Sequence, residues 1–478
     1  MRFSGSRLRL VLGNLAFVFS AALFADTPPA LPVTPAQAPD TLEERLQRLE
    51  KLLAETRSEL DALKAAPSDA AREARLTELE RKIDVLTKEI EKLKIGEATV
   101  VPPTAREAGV YGVGPAGSKV YGKDGLSIGG YGEVLYQNFA STDQSGAPSA
   151  DEDQITLLRA VLYFGYKFDR HFVLNTEIEY ENAVIASDKG GEAEVEFAYL
   201  DYMHSRPFNA RAGLVLIPMG LVNELHEPTT FLGARRPDVE EFILPTTWRE
   251  LGFGFYGSAG PLTYRGYMVN GLNAAGYSAD EGIREGRQEG SEALARTWAF
   301  TGRVDFTAAP GLLVGASIFT GNAGQGHETP SGTLIHAPTT VVDAHADWQW
   351  RGLWLRALYA HTSVGDAAEI NELNGFVGNE SVGSRQEGWY VQGGFDVLSL
   401  APGSRMSLVP FVRYEEYDTQ AAVPAGFERN PENDVNELTV GLAFKPIDRL
   451  VFKADWQQRH NAARTGVNQW NLALGYVF

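Results

Sequence analysis

Residues 468–478, Asn-Gln-Trp-Asn-Leu-Ala-Leu-Gly-Tyr-Val-Phe, alternate without a break. Trp470, Leu472, Leu474, Tyr476 and Phe478 fall on one side; Asn471, Ala473, Gly475 and Val477 fall on the other. Period-two alternation specifies a strand with two unlike faces. The apolar side is aromatic at both ends and aliphatic between them, and the opposite side is small and polar. That profile suits a strand with lipid on one face and water on the other, its aromatic residues at the two interfaces. An edge strand of a soluble sheet can look the same, so the decision rests on whether the pattern recurs.

It recurs from residue 124 onward. Leu158, Ala160, Leu162, Phe164, Tyr166 and Phe168 alternate with Arg159, Val161, Tyr163, Gly165 and Lys167. After Asp169-Arg170, Phe172, Leu174, Thr176, Ile178 and Tyr180 alternate with Asn175, Glu177, Glu179 and Glu181. So charged a face needs water on one side and apolar surroundings on the other. Residues 192–204 change phase: Glu194 and Glu196 fit one face, Leu200 and Tyr202 the other, which predicts a bulge.

Strand segments separated by connections of two kinds fill the rest. Short ones (169–170, 205–207, 258–260, 309–310, 400–403, 447–448) alternate with long ones (140–153, 183–191, 220–246, 273–293, 322–339, 364–385, 419–434, 461–467). The expected fold class is an all-β transmembrane barrel of about 16 antiparallel strands over 124–478, with tight periplasmic turns and extended outer loops. An even strand number puts both termini on the periplasmic side.

Mean hydropathy is −0.20. Past the N-terminus no run of about 18 apolar residues exists, which excludes spanning helices but not half-apolar strands. The absence of cysteine excludes disulfides, thiolate metal sites and cysteine nucleophiles. Residues 121–478 hold 26 Lys and Arg against 45 Asp and Glu, the whole of the net charge of −19, which argues against nucleic acid as a partner. No G-x-S-x-G, H-E-x-x-H or P-loop motif is present, so neither an enzyme nor a cofactor is expected. Asp343-x-His345-x-Asp347 sets three potential metal ligands on one strand face. An ordinary polar wall explains them better.

The N-terminal quarter reads differently. Residues 1–25 have the Arg2, Arg7 and Arg9 start and the Leu10–Phe24 apolar core of a secretory signal peptide. Residues 26–40, rich in Pro and Ala, read as a flexible spacer. Within 41–95, Leu42, Leu46, Leu49, Leu53, Thr56, Leu60 and Leu63 are spaced alternately four and three apart, a heptad seam. Pro67 interrupts it, and Leu76, Leu79, Ile83, Leu86, Ile90 and Leu93 begin a second. The expectation is a self-associating periplasmic α-helical coiled coil, reaching roughly 75–80 Å if its two helices are fully extended. Isoleucine at a and leucine at d in the second seam favour two strands. Residues 96–123 read as a Gly/Pro linker.

A sixteen-stranded barrel encloses an aqueous lumen unless something narrows it. The longest connection, Gly220–Thr246, is expected to fold inward as the constriction. It carries Glu224, Glu227, Asp238, Glu240 and Glu241, with Arg235 and Arg236. The wall offers Arg159, Arg265, Arg303, Arg413 and Lys453 at inward phases, and the Glu177, Glu179 and Glu181 ladder. Acids facing bases across a narrow wet gap set up a transverse field that favours polar solutes.

Four stretches resemble the phosphate-selective porin O/P family. They are Leu126-Ser-Ile-Gly-Gly-Tyr-Gly-Glu133, Arg211-Ala-Gly-Leu-Val-Leu-Ile-Pro-Met-Gly220, Trp248-Arg-Glu-Leu-Gly-Phe-Gly254 and Thr301-Gly-Arg-Val-Asp305. The resemblance implies a trimeric sixteen-stranded porin. The Phe478 strand looks like the last strand of a Gram-negative outer-membrane barrel, which sits among lipopolysaccharide and whose terminal aromatic residue the barrel-assembly machinery reads. Where the family has a lysine two residues before the proline of the Arg211 stretch, this chain has Leu216. The expected function is passive diffusion of small hydrophilic solutes or ions, with a weak preference for cations or hardly any discrimination. The alternatives are an anion- or phosphate-selective channel, and a tether whose coiled coil contacts peptidoglycan.

Overall fold

The alternating stretches form strands that pair in chain order until the last meets the first. They are β1 Gly125–Phe139, β2 Gln154–Lys167, β3 Phe172–Glu181, β4 Ala193–Ser205, β5 Phe208–Leu216 and β6 Arg249–Ala259. Next come β7 Leu262–Asn270, β8 Trp298–Phe306, β9 Leu312–Asn322, β10 Pro338–Trp350 and β11 Leu353–Val364. The circuit ends with β12 Arg385–Phe395, β13 Ser407–Ala422, β14 Asp434–Ile447, β15 Leu450–Asn461 and β16 Gln469–Val477. All pairings are antiparallel and the sheet is a closed barrel of sixteen strands, as expected. This computed structural model describes residues 42–64, several positions within 75–83, and 109–478 apart from 123, 186–189, 308 and 402–403. The signal peptide, the spacer and the second heptad seam from Leu86 onward lie outside the described residues.

The closing pair runs from Tyr131 opposite Val477 to Phe139 opposite Gln469. One residue further, Phe478 N donates to Gly130 O at 2.8 Å and Gly130 N to Phe478 O at 3.1 Å. Gly130 has to be small, because a Cβ there would stand 2.7 Å from the Phe478 ring. The anticipated β4 bulge is present: Glu177 pairs with Phe197 and Ile178 with Val195, so Glu196 is skipped. Both phases of β4 therefore point inward, Glu196 above the bulge and Phe197 and Tyr199 below it.

Outward side chains form the band that meets lipid. Leu162, Phe164 and Tyr166 are exposed while their neighbours Val161 and Tyr163 are buried. Rings gather beside the short turns, with Phe172 against Tyr202 at 5.3 Å, Phe208 against Phe255 at 5.0 Å and Trp348 against Trp350 at 6.1 Å. A second set, including Trp389 against Tyr414 at 5.6 Å, lies toward the long loops. Two girdles bounding an apolar belt are the mark of a barrel crossing a bilayer. Closure leaves no unpaired edge, and every ladder hydrogen bond must break together. The purified protein is therefore expected to be heat-modifiable, running compact on a gel unless boiled. Identical mobility before and after boiling would contradict closure.

The helical unit is separate. α1, Leu42–Lys64, covers the first heptad seam. Arg75 Nη2 reaches Glu59 Oε1 at 2.9 Å, and Leu60 and Leu79 are both buried. The second segment thus folds back on α1 within one chain rather than continuing the rod, with Pro67 between them.

Residues 109–122 belong to the barrel. They lie in the stretch expected as linker, yet they form two short 3₁₀ turns, Gly109–Tyr111 and Gly117–Gly122, and Val113, Ala116, Val120 and Tyr121 are buried. Their partners are the inward residues of β2 to β7 near the short turns, so the segment occupies the short-turn end of the lumen.

Candidate functional site

The connection between β5 and β6, residues 217–248, crosses the lumen. Its neck is tied by Asn223, whose Nδ2 donates to Ile217 O at 2.7 Å and to Trp248 O at 2.9 Å. Asn223 Oδ1 accepts from Trp248 N at 2.7 Å. At Gly220, with φ +66°, a Cβ would meet Glu240 Oε2 at 2.4 Å, so the close approach requires glycine. Beyond the neck the loop is bonded to wall strands far from its origin. Gly220 N donates to Asp343 Oδ2 on β10 at 3.1 Å, and Val239 N to Glu415 Oε2 on β13 at 3.2 Å. Ala234 N donates to Asp455 Oδ2 on β15 at 2.6 Å, and Lys453 Nζ to Gly233 O at 2.8 Å. Arg459 binds Asp238.

Glu240 is the loop's internal clamp. It is fully buried; Oε2 accepts from Leu221 N at 2.6 Å and Val222 N at 2.7 Å, and Oε1 from Tyr390 Oη on β12 at 2.6 Å. It was expected on the pore surface and is not there, because the loop's own turn folds it onto backbone amides. Glu241 does stay partly open, 3.6 Å from Arg235. Arg284, on the outer loop that descends onto this one, donates to Glu241 O at 3.1 Å.

The wall arginines do not form a free basic face. Arg265 lies 3.0 Å from Glu224 and 3.4 Å from Asp305, and it also bonds Gly109 O. Arg303 lies 2.8 Å from Asp305 and bonds Gly220 O. Arg413 lies 2.7 Å from Glu415. Each holds a carboxylate and, directly or through it, a lumenal segment. Asp305, Glu415 and Asp455 were missed as partners, although each follows its basic neighbour by two residues on the same strand face. The Asp343-x-His345-x-Asp347 ligands do not converge: His345 sits between Asp343 at 2.5 Å and Asp305 at 2.9 Å, while Asp347 accepts from Trp354 Nε1 at 2.7 Å.

The 109–122 segment has a built seat. Arg211 makes a two-point pair with Asp201, at 2.7 Å and 2.9 Å, stacked 3.7 Å over Tyr199. Asp201 Oδ2 also accepts from Tyr121 Oη and Tyr256 Oη, each at 2.7 Å. Tyr121 stacks on Tyr111 at 3.8 Å. Glu227 accepts from Ala116 N at 2.8 Å, joining the segment to the crossing loop. Burial pushes the Glu227 carboxyl up to about 7 against the pull of the amides of Ala116 and Gly117. Arg211, Trp248 and Arg303, which carry the quoted motifs, thus anchor this segment and the loop.

With both segments in place, inward side chains across the described wall are covered. Arg413, Glu415 and Asn471 are at most 1 % exposed. The wide lumen expected of sixteen strands is filled. A cavity of about 310 Å³ remains at the short-turn end of β10 to β14, lined by Leu232, Trp354, Val409 and Lys445 among others. On the opposite wall, buried polar atoms make no hydrogen bond to the protein: Tyr131 Oη, Glu133 Oε1, Arg159 Nε, both Glu179 oxygens, Glu196 Oε2 and Arg236 Nη2. Such atoms require water or an ion. Of the expected pore residues, Arg159, Glu177, Glu179 and Arg236 therefore share one face. Glu177 meets His226 at 3.2 Å, and Glu181 ends β3 at the rim.

No protein-family model matches the chain. Among solved structures, Salmonella typhi OmpF in complex with daunomycin aligns with TM-score 0.49 and 12 % identity, over 74 % of this chain and 97 % of that one. The outer membrane channel DcaP of Acinetobacter baumannii aligns with TM-score 0.46 and 13 % identity, over 74 % and 97 %. An uncharacterized protein of Aquifex aeolicus (strain VF5) is 38 % identical over 377 residues, 77 % of this chain and 83 % of its own length. The chain is a closed sixteen-stranded antiparallel barrel and belongs to the same family as that Aquifex aeolicus protein.

Proposed function

We propose that the protein is a narrow outer-membrane channel, trimeric, passing small hydrophilic solutes or ions by passive diffusion. The observation that carries this reading is the run of unpartnered polar atoms between the β1–β4 wall and the crossing loop. A dry, purely structural plug would pair such groups or replace them with apolar ones, since a buried unpaired polar atom costs about 1–3 kcal/mol. A thread of water along that face satisfies those of Tyr131, Glu133, Arg159 and Arg236 and supplies the path.

The path favours cations weakly. Glu133, Glu177, Glu179 and Glu196 lie along it against Arg159 and Arg236, while Arg265, Arg303 and Arg413 are each held by carboxylates. A ladder of free arginines, as an anion route would need, is not formed by these residues. The screening length at physiological salt is about 8 Å, so outer-loop charges count little. In a salt gradient the expected reversal potential is small and of the cation-selective sign. A clear anion preference would overturn this and favour the phosphate reading.

A second reading, a tether to the cell wall, draws on the filled lumen and the helical preface. It is distinguished by a barrel that inserts into bilayers and stays silent.

A further inference from the structure

We propose that Glu179, Glu194 and Glu196 form a divalent-cation site on the β3–β4 wall, with Ca²⁺ as the fitting ion. Each offers one carboxylate oxygen, and these atoms lie within 4.8 Å of one another. Oxygens bound to one Ca²⁺ at about 2.3–2.6 Å stand at most about 5 Å apart, so a small side-chain adjustment brings the three onto one ion. Mg²⁺, with bonds near 2.0–2.1 Å and strict octahedral geometry, would demand a tighter cluster. Three hard oxygen donors and no nitrogen or sulfur select this class of metal.

The pairing of these strands makes the cluster hard to explain without a cation. Glu179 stands directly opposite Glu194 in the β3–β4 register. Like charges facing each other across strands destabilise a sheet. The skipped residue of the bulge brings in a third carboxylate, Glu196, and bulges recur where a strand has to re-aim a side chain.

The available bases do not settle the charge. Arg249 bonds Glu194 and approaches Glu196 Oε1 at 3.3 Å, where Thr247 Oγ1 also donates at 2.8 Å. Glu196 Oε2 has no partner. Glu179 is 0 % exposed and neither of its oxygens accepts a hydrogen bond. Its nearest cation, Arg159 Nη1, is 3.7 Å away, outside hydrogen-bonding range. A buried carboxylate left in this state points to a missing positive ligand. This inference stands whether or not the barrel conducts.

The test is calorimetric titration of Ca²⁺ into the detergent-purified, lipopolysaccharide-free full chain, with Mg²⁺ in parallel. Saturable Ca²⁺ binding, stronger than Mg²⁺ binding, is expected. Glu179→Gln and Glu196→Gln should each weaken it roughly tenfold or more. Heat-modifiability checks that both variants fold. Should either fail to fold, Ca²⁺ is still expected to raise the thermal transition of the wild-type chain, and Mg²⁺ to do so less. No saturable binding to the wild-type chain would overturn the proposal in favour of a protonated Glu179. Binding that both folded variants retain would overturn it too, placing the ion elsewhere.

Discussion

Deleting residues 26–122 is expected to raise single-channel conductance several-fold, with the barrel still heat-modifiable. The deletion removes the 109–122 segment, which buries Tyr163, Asn175 and Asp201. Conductance scales with the narrowest open section, and this segment fills the lumen beside β2 to β7 at the short-turn end. Removing residues 26–108 alone provides the control, because it spares the seat formed by Arg211, Asp201 and Tyr121. The control is expected to conduct like the full chain. Equal conductance of the long deletion and the full chain would show that the segment lies off the path.

Replacing Glu240 with alanine should release the crossing loop. Two backbone N–H groups and the Tyr390 hydroxyl lose their acceptor together. Charge-assisted hydrogen bonds in a buried setting are worth more than neutral ones, and the loss is expected to cost on the order of 3 kcal/mol of loop anchoring. The barrel ladder is untouched, so the variant should insert normally. Its channel should be larger and electrically noisier as the loop fluctuates between attached and detached states. Glu241→Gln is the comparison, because that side chain is partly open and pairs with Arg235. It should shift selectivity slightly toward anions without adding noise. A quiet Glu240→Ala channel of normal size would show that the wall contacts of Gly220, Ala234 and Val239 hold the loop unaided.

The strands, the sorting of the connections and the β4 bulge were legible because each rests on local alternation. A period of two survives any uncertainty about which strands are neighbours. The inward course of the long loop was legible only as an expectation from its length and charge. The partners of its charges were not. Glu240 reads in the sequence like Glu241, and only the turn at Gly220 sends one inward onto amides and leaves the other open. The wall arginines misled for a related reason. Arg303 and Arg413 show inward phases, but the same alternation places Asp305 and Glu415 beside them, which cancels the basic face they suggest alone. The 109–122 segment was hidden most thoroughly. Its Gly- and Pro-rich stretch reads as linker, and what orders it is a set of side chains at 163, 175, 201, 211 and 227, assembled only when the barrel closes.

The account stands most directly on planar-bilayer recording of the purified full-length protein. A water path narrowed by the crossing loop and the N-terminal segment predicts discrete, stable conductance steps, smaller than those of the 26–122 deletion. A barrel that inserts, resists unfolding without boiling, and yet carries no current in either form would contradict it.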